Sequence, residues 1–599
     1  MEAASHVQVS EPWWGNYPAE EWSDAIVTSM KLGGVDALFF VSGSELVFYQ
    51  ESIAKAQRLG RPAPRLVTVT HESVALNAAL GYSMSTGKPT ATAVHVDAGT
   101  FNYGAAIHTA WRGSYPVLMT AGAGPRAFPG SMPGARTGGV QWVQEVRDQG
   151  EIVRQYTKMD HRMEHQDNPG LMISRLLQLA MSEPKGPVYL TVPLETAMLP
   201  LPGSTRFPTR DQLGLAQPAW PSPSDARKAA QWLLDAGNPC IYTAKSGRNP
   251  ESVAPLVQLA ELLALPVMDT ARLDRLNFPT THPLYGTGPS PKDADALLII
   301  EAPVPYNQPG GSPSADAKIV WVDVDPVQSR YRTMEFRADM WLPVSAAGAA
   351  EAIRDAAQGL MTKTHMNRIA DRRERLEQRK KVIEAEHEAQ GLEAGRRRPL
   401  HPQWVAYQLG KLLEPDTIVL NESVSNSGYV EAYHRREKPG SYFEGGGSSG
   451  GWASGAAVGV KLAHPDREVV MTTGDGYFMF GSPLSALWCA SHYKAAFLSL
   501  VFVNRSYSTG TSGLSRIYPQ GVATETGNFE GGVFDPPPDF AKLAEAANGY
   551  GETVREPEEV EPALRRALDQ VRRGVPAVVA AYLPTHLEET KLHPRAGRG

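Results

Sequence analysis

A chain of 599 residues exceeds what one hydrophobic core organises, so two to four domains are expected. With 42% apolar residues, 20% charged residues and a net charge of −6, the composition is that of an ordinary globular protein and argues against a nucleic-acid partner. Cys240 and Cys489 are the only cysteines, which excludes a disulfide framework and a cysteine zinc site. The N-terminal stretch lacks a basic segment followed by an apolar run, and no stretch reaches the roughly 18 apolar residues of a membrane span. A cytoplasmic location without a membrane partner is the expectation.

From residue 20 to residue 195, short apolar runs ("DALFFVS", "LVTVT", "TATAVHV", "PVLMTAGA", "GPVYLTVP") alternate with helical patterns such as "ESVALNAALGYSMSTG". Such runs between helices are the signature of a parallel sheet covered on both faces. The stretch "LPLPGSTRFPTRDQLGLAQPAWPSPS" then reads as a linker. A second α/β block over 220–362 follows, with the helix "SDARKAAQWLLDAG" and the strands "PCIYTA", "ALPVMD", "ADALLIIEA" and "KIVWVDVD". The charged segment from Met366 to Pro399 mixes both signs and predicts a solvated connecting helix. Over 400–585 the α/β rhythm restarts, with a length and rhythm close to the first block but no clear sequence repeat. The fold class expected is α/β, in three domains, each a mainly parallel sheet covered by helices.

In the third block the strand "EVVMTT" ends in Gly474-Asp475-Gly476, and a second buried strand ends in Asn504, 29 residues after Asp475. In a parallel βαβ unit both strand ends emerge at one sheet edge, where ligands of such folds bind. A carboxylate and an amide oxygen suit Mg²⁺ or Ca²⁺, and Mg²⁺ with one or two protein carboxylates completes its shell with phosphate and water. The flanking glycines let a diphosphate approach the backbone. Taken alone, Gly-Asp-Gly also reads as a simple turn.

The whole unit resembles the diphosphate-binding motif of thiamine diphosphate-dependent enzymes. The resemblance implies thiamine diphosphate and Mg²⁺ as cofactors, with the metal held by Asp475, Asn504 and the main-chain carbonyl of Ser506. It also implies a glutamate from the first domain that activates the cofactor, and "RLVTVTHESVALNAALGYSMSTGKP" resembles that strand, glutamate and helix, giving Glu72. By itself Glu72 at a helix start reads as a capping or dipole-compensating residue.

The resemblance spans nearly the whole chain, in the domain order of the acetolactate synthase and benzoylformate decarboxylase group: pyrimidine-binding, central, diphosphate-binding. Local stretches are most similar to benzoylformate decarboxylase. "FFVSGSELVF" yields Ser44 and "TAVHVDAGTFNYGAA" yields His95 as candidates for proton handling, against readings as a turn serine and a structural histidine. His71 and His108 are expected to be structural. "IVLNESVSNS" and "PGSYFEGGGSSGGWASGAAVG" are similar to cofactor-covering segments, giving Asn421, Ser423, Gly447, Ser448 and Gly450 as cofactor-binding candidates beside Gly474, Asp475, Gly476, Tyr477, Asn504, Ser506 and Tyr507.

Departures stand beside these matches. The bulky apolar residue that usually wedges between the cofactor rings is matched by Gly450, the small hydroxyl residue after Gly-Asp-Gly by Tyr477, and a second histidine expected in the central domain falls near Asn307. The reaction implied is cleavage or formation of a carbon-carbon bond beside a carbonyl, as in a 2-oxoacid decarboxylase or carboligase, a lyase. The alternatives are an acetolactate synthase-like acyl transferase, a non-decarboxylating lyase or hydrolase, and a non-catalytic scaffold. The acetolactate synthase branch usually carries FAD in its central domain, and no glycine fingerprint there supports it. A homodimer or homotetramer with active centres between subunits is implied, with a small-molecule 2-oxoacid or ketone as substrate.

Overall fold

The computed structural model describes residues 14–201, 203–208, 213–270, 275–308, 310–585 and 588. Three parallel sheets organise it. The first runs Arg65–Thr68, Ala37–Phe40, Thr90–Val94, Val117–Ala123, Val188–Pro193, Asp160–Arg162 across its width. The third runs Tyr442–Phe443, Ile418–Glu422, Val469–Gly474, Leu498–Val503, Ala577–Tyr582, Tyr550–Val554. In chain order both read second, first, third, fourth, sixth, fifth, so the expected likeness between the outer blocks is a likeness of topology. The central sheet has five strands: Val267–Asp269, Pro239–Thr243, Ala296–Ile300, Lys318–Asp323 and Met340–Pro343.

The runs read as strands are buried because helices cover both faces, and in Val117–Ala123 and Leu498–Val503 every residue is buried. The mixed-charge segment forms the helix Lys363–Ala394, held to the central domain by Arg372, which donates to the Ala264 and Leu263 carbonyls at 3.0 and 2.6 Å. Part of the stretch read as linker is structured instead: Ser204–Pro208 pairs antiparallel with Trp14–Pro18. Pairing with a segment nearly two hundred residues away overrides its turn-rich composition. Asp160–Arg162, a short edge strand, had no apolar run to announce it, and Met340–Pro343, Met-Trp-Leu-Pro, is an edge strand of only four residues.

The outer domains share one core. Helix Glu72–Thr86 crosses helix Trp452–Ala463 so closely that a Cβ on Gly81 would overlap the Ala456 carbonyl, and one on Gly459 the Ala78 carbonyl. Leu76, Ala79, Trp452 and Val458 belong to that continuous buried cluster. No helix among the described residues is long and apolar enough to cross a membrane.

Candidate active site

Both outer sheets reverse direction between their first and third strands, the point where doubly wound sheets bind ligands at the carboxyl ends of the strands. In the third sheet that edge carries Asn421, Ser423 and Asp475, with Asn504 on the next strand; in the first it carries Ser44 and His95, with Glu72 following the neighbouring strand.

Asp475 opens a short helix, Asp475–Phe480, so Gly-Asp-Gly is a strand-to-helix junction and not only a turn. Its carboxylate is 1% exposed and accepts the Gly476 N–H at 2.8 Å and the Arg505 N–H at 2.6 Å. The second bond ties the two strand ends together and brings Asn504 to Asp475. Burial pushes the Asp475 carboxyl up to about 6, against the lowering effect of these N–H groups. Asn504 Oδ1 accepts the Ser506 N–H at 3.0 Å, and Arg505 between them sits at φ 60°, a left-handed conformation uncommon for a side chain of its size.

This donor set fits a magnesium diphosphate. One buried carboxylate, one amide and a main-chain carbonyl are hard oxygen ligands that leave most of an octahedron to phosphate and water. Around Gly474 a Cβ would meet nothing within 4 Å, which leaves the approach open. Among the described residues no group of three or more His, Cys, Asp or Glu is placed to hold a metal without such help.

Beside this edge lies a cavity of about 740 Å³, bordered by Asn421, Gly447, Ser448 and Tyr477 on one wall and by Arg112 and Lys245 on the other. Asn421 is saturated by the protein: Nδ2 donates to Tyr442 and Glu444 at 2.8 Å each, and Oδ1 accepts from Thr472 at 2.8 Å and from Ser423. Asn421 and Ser423 therefore brace the wall. Gly447 is closed in by Thr109 and His108, whose Nδ1 has no hydrogen-bond partner among the described residues and whose pKa burial lowers.

The ring of Tyr477 lies against Gly450 so closely that a Cβ there would overlap it. The two positions at which the sequence departs from the pattern expected of the resemblance thus meet in the structure. Tyr507 covers Gly476 and stacks on Phe480, with ring centroids 5.6 Å apart.

Glu72 starts its helix behind His71, which caps it by accepting the Ser73 N–H at 3.2 Å, the structural role expected of His71. The Glu72 carboxylate is half-buried and accepts from Asn102 Nδ2 at 3.2 Å. A cleft of about 320 Å³ separates His71, Ser73 and Asn102 from Gly450, Gly451 and Phe480 of the same chain. Ser44 and His95 border neither cavity. They are joined to each other instead, through Glu45.

Sequence reasoning passed over two buried glutamates. Glu45 is fully buried and accepts from Ser44, His95 and Gln141. Burial opposes its charge, but these hydrogen bonds hold the carboxyl below its ordinary range. Glu422 accepts the Gly451 and Trp452 N–H groups at 2.7 and 2.8 Å, holding the start of helix Trp452–Ala463, while burial pushes its carboxyl up to about 8. Each stands beside a candidate site residue, Glu45 after Ser44 in the turn beyond its strand and Glu422 between Asn421 and Ser423, and that adjacency was the available signal.

Residues 21–152 match the family model for the thiamine pyrophosphate enzyme N-terminal TPP binding domain, and residues 424–581 that for the C-terminal TPP binding domain. The chain carries matches to both binding domains of the thiamine pyrophosphate enzymes. The chain is 27% identical to a benzoylformate decarboxylase of Pseudomonas aeruginosa over 74% of its own length and 79% of the relative's. It is equally identical, 27%, to the acetolactate synthase large subunit IlvG of Mycobacterium tuberculosis over 92% of its length and 94% of the relative's. Its fold matches a benzoylformate decarboxylase structure from Polynucleobacter necessarius with a TM-score of 0.75 at 19% identity, covering 94% of this chain and 99% of that one.

Proposed function

We propose that this protein uses thiamine diphosphate and Mg²⁺ to cleave or form the carbon-carbon bond beside a carbonyl, with 2-oxoacid decarboxylation or carboligation as its reaction. The observation that carries the reading is the tie between Asp475 and the strand end bearing Asn504, a one-carboxylate oxygen site open at Gly474. When bound, thiamine diphosphate supplies a carbon nucleophile and an electron sink. The chain's own residues do the rest. Asp475, Asn504 and the Ser506 carbonyl would hold the metal, Gly476 and Tyr477 would meet the diphosphate, and Ser448 and Gly450 would line the ring end. Glu72 would hydrogen-bond the cofactor's pyrimidine ring and share a proton with it. His95, with Ser44, exchanges the proton with the substrate.

The acyl-transfer reading keeps support from the longer match to acetolactate synthase. A flavin is not part of the proposal, since no glycine fingerprint in the central domain supports one.

We also propose a homodimer, or a homotetramer built from it, in which the edge carrying Ser44 and His95 completes the diphosphate half of a partner. Exposed Phe101 and Phe480, at 61% and 54%, provide apolar surface for that pairing. A screen of 2-oxoacids, with and without aldehyde or 2-oxoacid acceptors and read as CO₂ and product, tests the reaction. CO₂ release without an acceptor is the expected result. Release only with a 2-oxoacid acceptor would move the assignment to acyl transfer, and no turnover of any member would overturn it.

A further inference from the structure

His95 follows the strand Thr90–Val94, and the chain then turns through Val96 at φ 35°, an outlier for a buried β-branched residue. This turn lays the imidazole against Gly43, where a Cβ would overlap the ring. Its Nε2 meets Oε2 of Glu45. The same Oε2 accepts the Ser44 hydroxyl at 2.6 Å, and Oε1 accepts Gln141 Nε2 at 3.3 Å. Gln141 is itself oriented, because its Oε1 accepts the Thr137 N–H at 2.7 Å. Glu45 is 0% exposed, so its carboxylate relies on these three donors in place of water.

A carboxylate only accepts. Nε2 of His95 must therefore carry hydrogen, and the one hydroxyl proton of Ser44 is committed inward. The His95 side chain is 25% exposed, and Nδ1 is the ring nitrogen that Glu45 does not hold. We propose that Glu45 is a positioning residue that fixes the Nε2–H form of His95 and turns Ser44 into an acceptor, so that proton exchange with the substrate passes through Nδ1 of His95. The proposal rests on the reading of His95 as the proton carrier. In the exchange the N–H bond at Nδ1 forms or breaks while the Nε2–H and the Glu45 carboxylate stay unchanged.

The test combines a spectroscopic and a kinetic measurement on the full-length protein. Long-range ¹⁵N–¹H correlations of histidine-labelled protein at alkaline pH, where imidazoles are neutral, report the tautomer directly. His95 is expected as Nε2–H, with Glu45→Gln giving a mixture of tautomers. In the loaded enzyme, E45Q is expected to lower kcat at least about tenfold with KM little changed, since a carboxylate that holds a catalytic imidazole in one tautomer can be worth up to about 10⁴. Glu45→Asp, which keeps the charge, is expected to recover part of that loss. A wild-type Nδ1–H tautomer, or wild-type turnover in E45Q while His95→Ala is impaired, would overturn the role of Glu45 alone. Unchanged turnover in His95→Ala would overturn the underlying reading of His95. The wild-type tautomer needs no variant, so a poorly folding E45Q still leaves the proposal open to refutation.

Discussion

At the scale of single residues, Tyr477 and Gly450 make a pair: each breaks the family pattern, and the ring of one occupies the space beside the other. Gly450→Leu alone is expected to clash and to cost roughly 1–3 kcal/mol, as overpacking does. Tyr477→Ser alone should loosen the site and weaken cofactor binding. The double variant should restore both stability and binding, and melting temperatures with cofactor titrations on the three proteins check this; a double variant worse than either single one would refute the exchange. The placement of Asp475 at a strand-to-helix junction and of Glu72 at a helix start was legible because it is written in a few adjacent letters. Residue chemistry was not legible for Glu45, whose partners His95 and Gln141 lie 50 and 96 residues away and meet it only through the sheet. Nor could the sequence tell that Asn421 spends its polar atoms on Tyr442, Glu444, Ser423 and Thr472.

At the scale of elements, helix Trp452–Ala463 connects stability to the site. Its start is held by Glu422, whose folded-state pKa of about 8 lies above its ordinary value of 4.5 because the group is buried. A raised pKa means that its contribution is complete below about pH 4.5 and declines as pH rises through about 8, by at most about 1.4 kcal/mol per pH unit. Glu422→Gln, which mimics the protonated form, should flatten the fall in melting temperature between pH 5 and about pH 8. An undiminished slope would show that Glu422 does not titrate in this way. Farther along the helix, Gly459→Val drives a side chain into the Ala78 backbone carbonyl, and since backbone cannot swing aside, a loss of about 3 kcal/mol or more is expected in denaturant unfolding. Long apolar runs made most strands readable. Asp160–Arg162 and Ser204–Pro208 escaped because short edge strands owe their conformation to the partner strand and not to their own pattern.

At the scale of the whole molecule, two sheets of one strand order share a core across the Gly81 and Gly459 crossing, while the central domain packs its own sheet into separate buried clusters. The repeated rhythm of the outer blocks was legible because topology follows the alternation of runs and helices; the packing of the blocks was not, since it depends on glycines that carry no hydrophobic signal. Assembly is tested by mixing two inactive proteins. If active centres form between subunits, co-expressed Glu72→Gln and Asp475→Ala chains should rebuild intact centres in the mixed dimers and recover up to about a quarter of wild-type activity. No recovery despite mixed dimers would place each centre within one chain. The central claim, a magnesium-dependent thiamine diphosphate site at Asp475 and Asn504, is tested most directly by calorimetric titration of the cofactor into wild-type protein and Asp475→Ala, with Mg²⁺ and with chelator. Saturable binding to the wild type that requires Mg²⁺ and is lost in Asp475→Ala, with the variant's fold intact by circular dichroism, is the predicted result. Absence of binding, or equal binding in chelator and in Asp475→Ala, would contradict it.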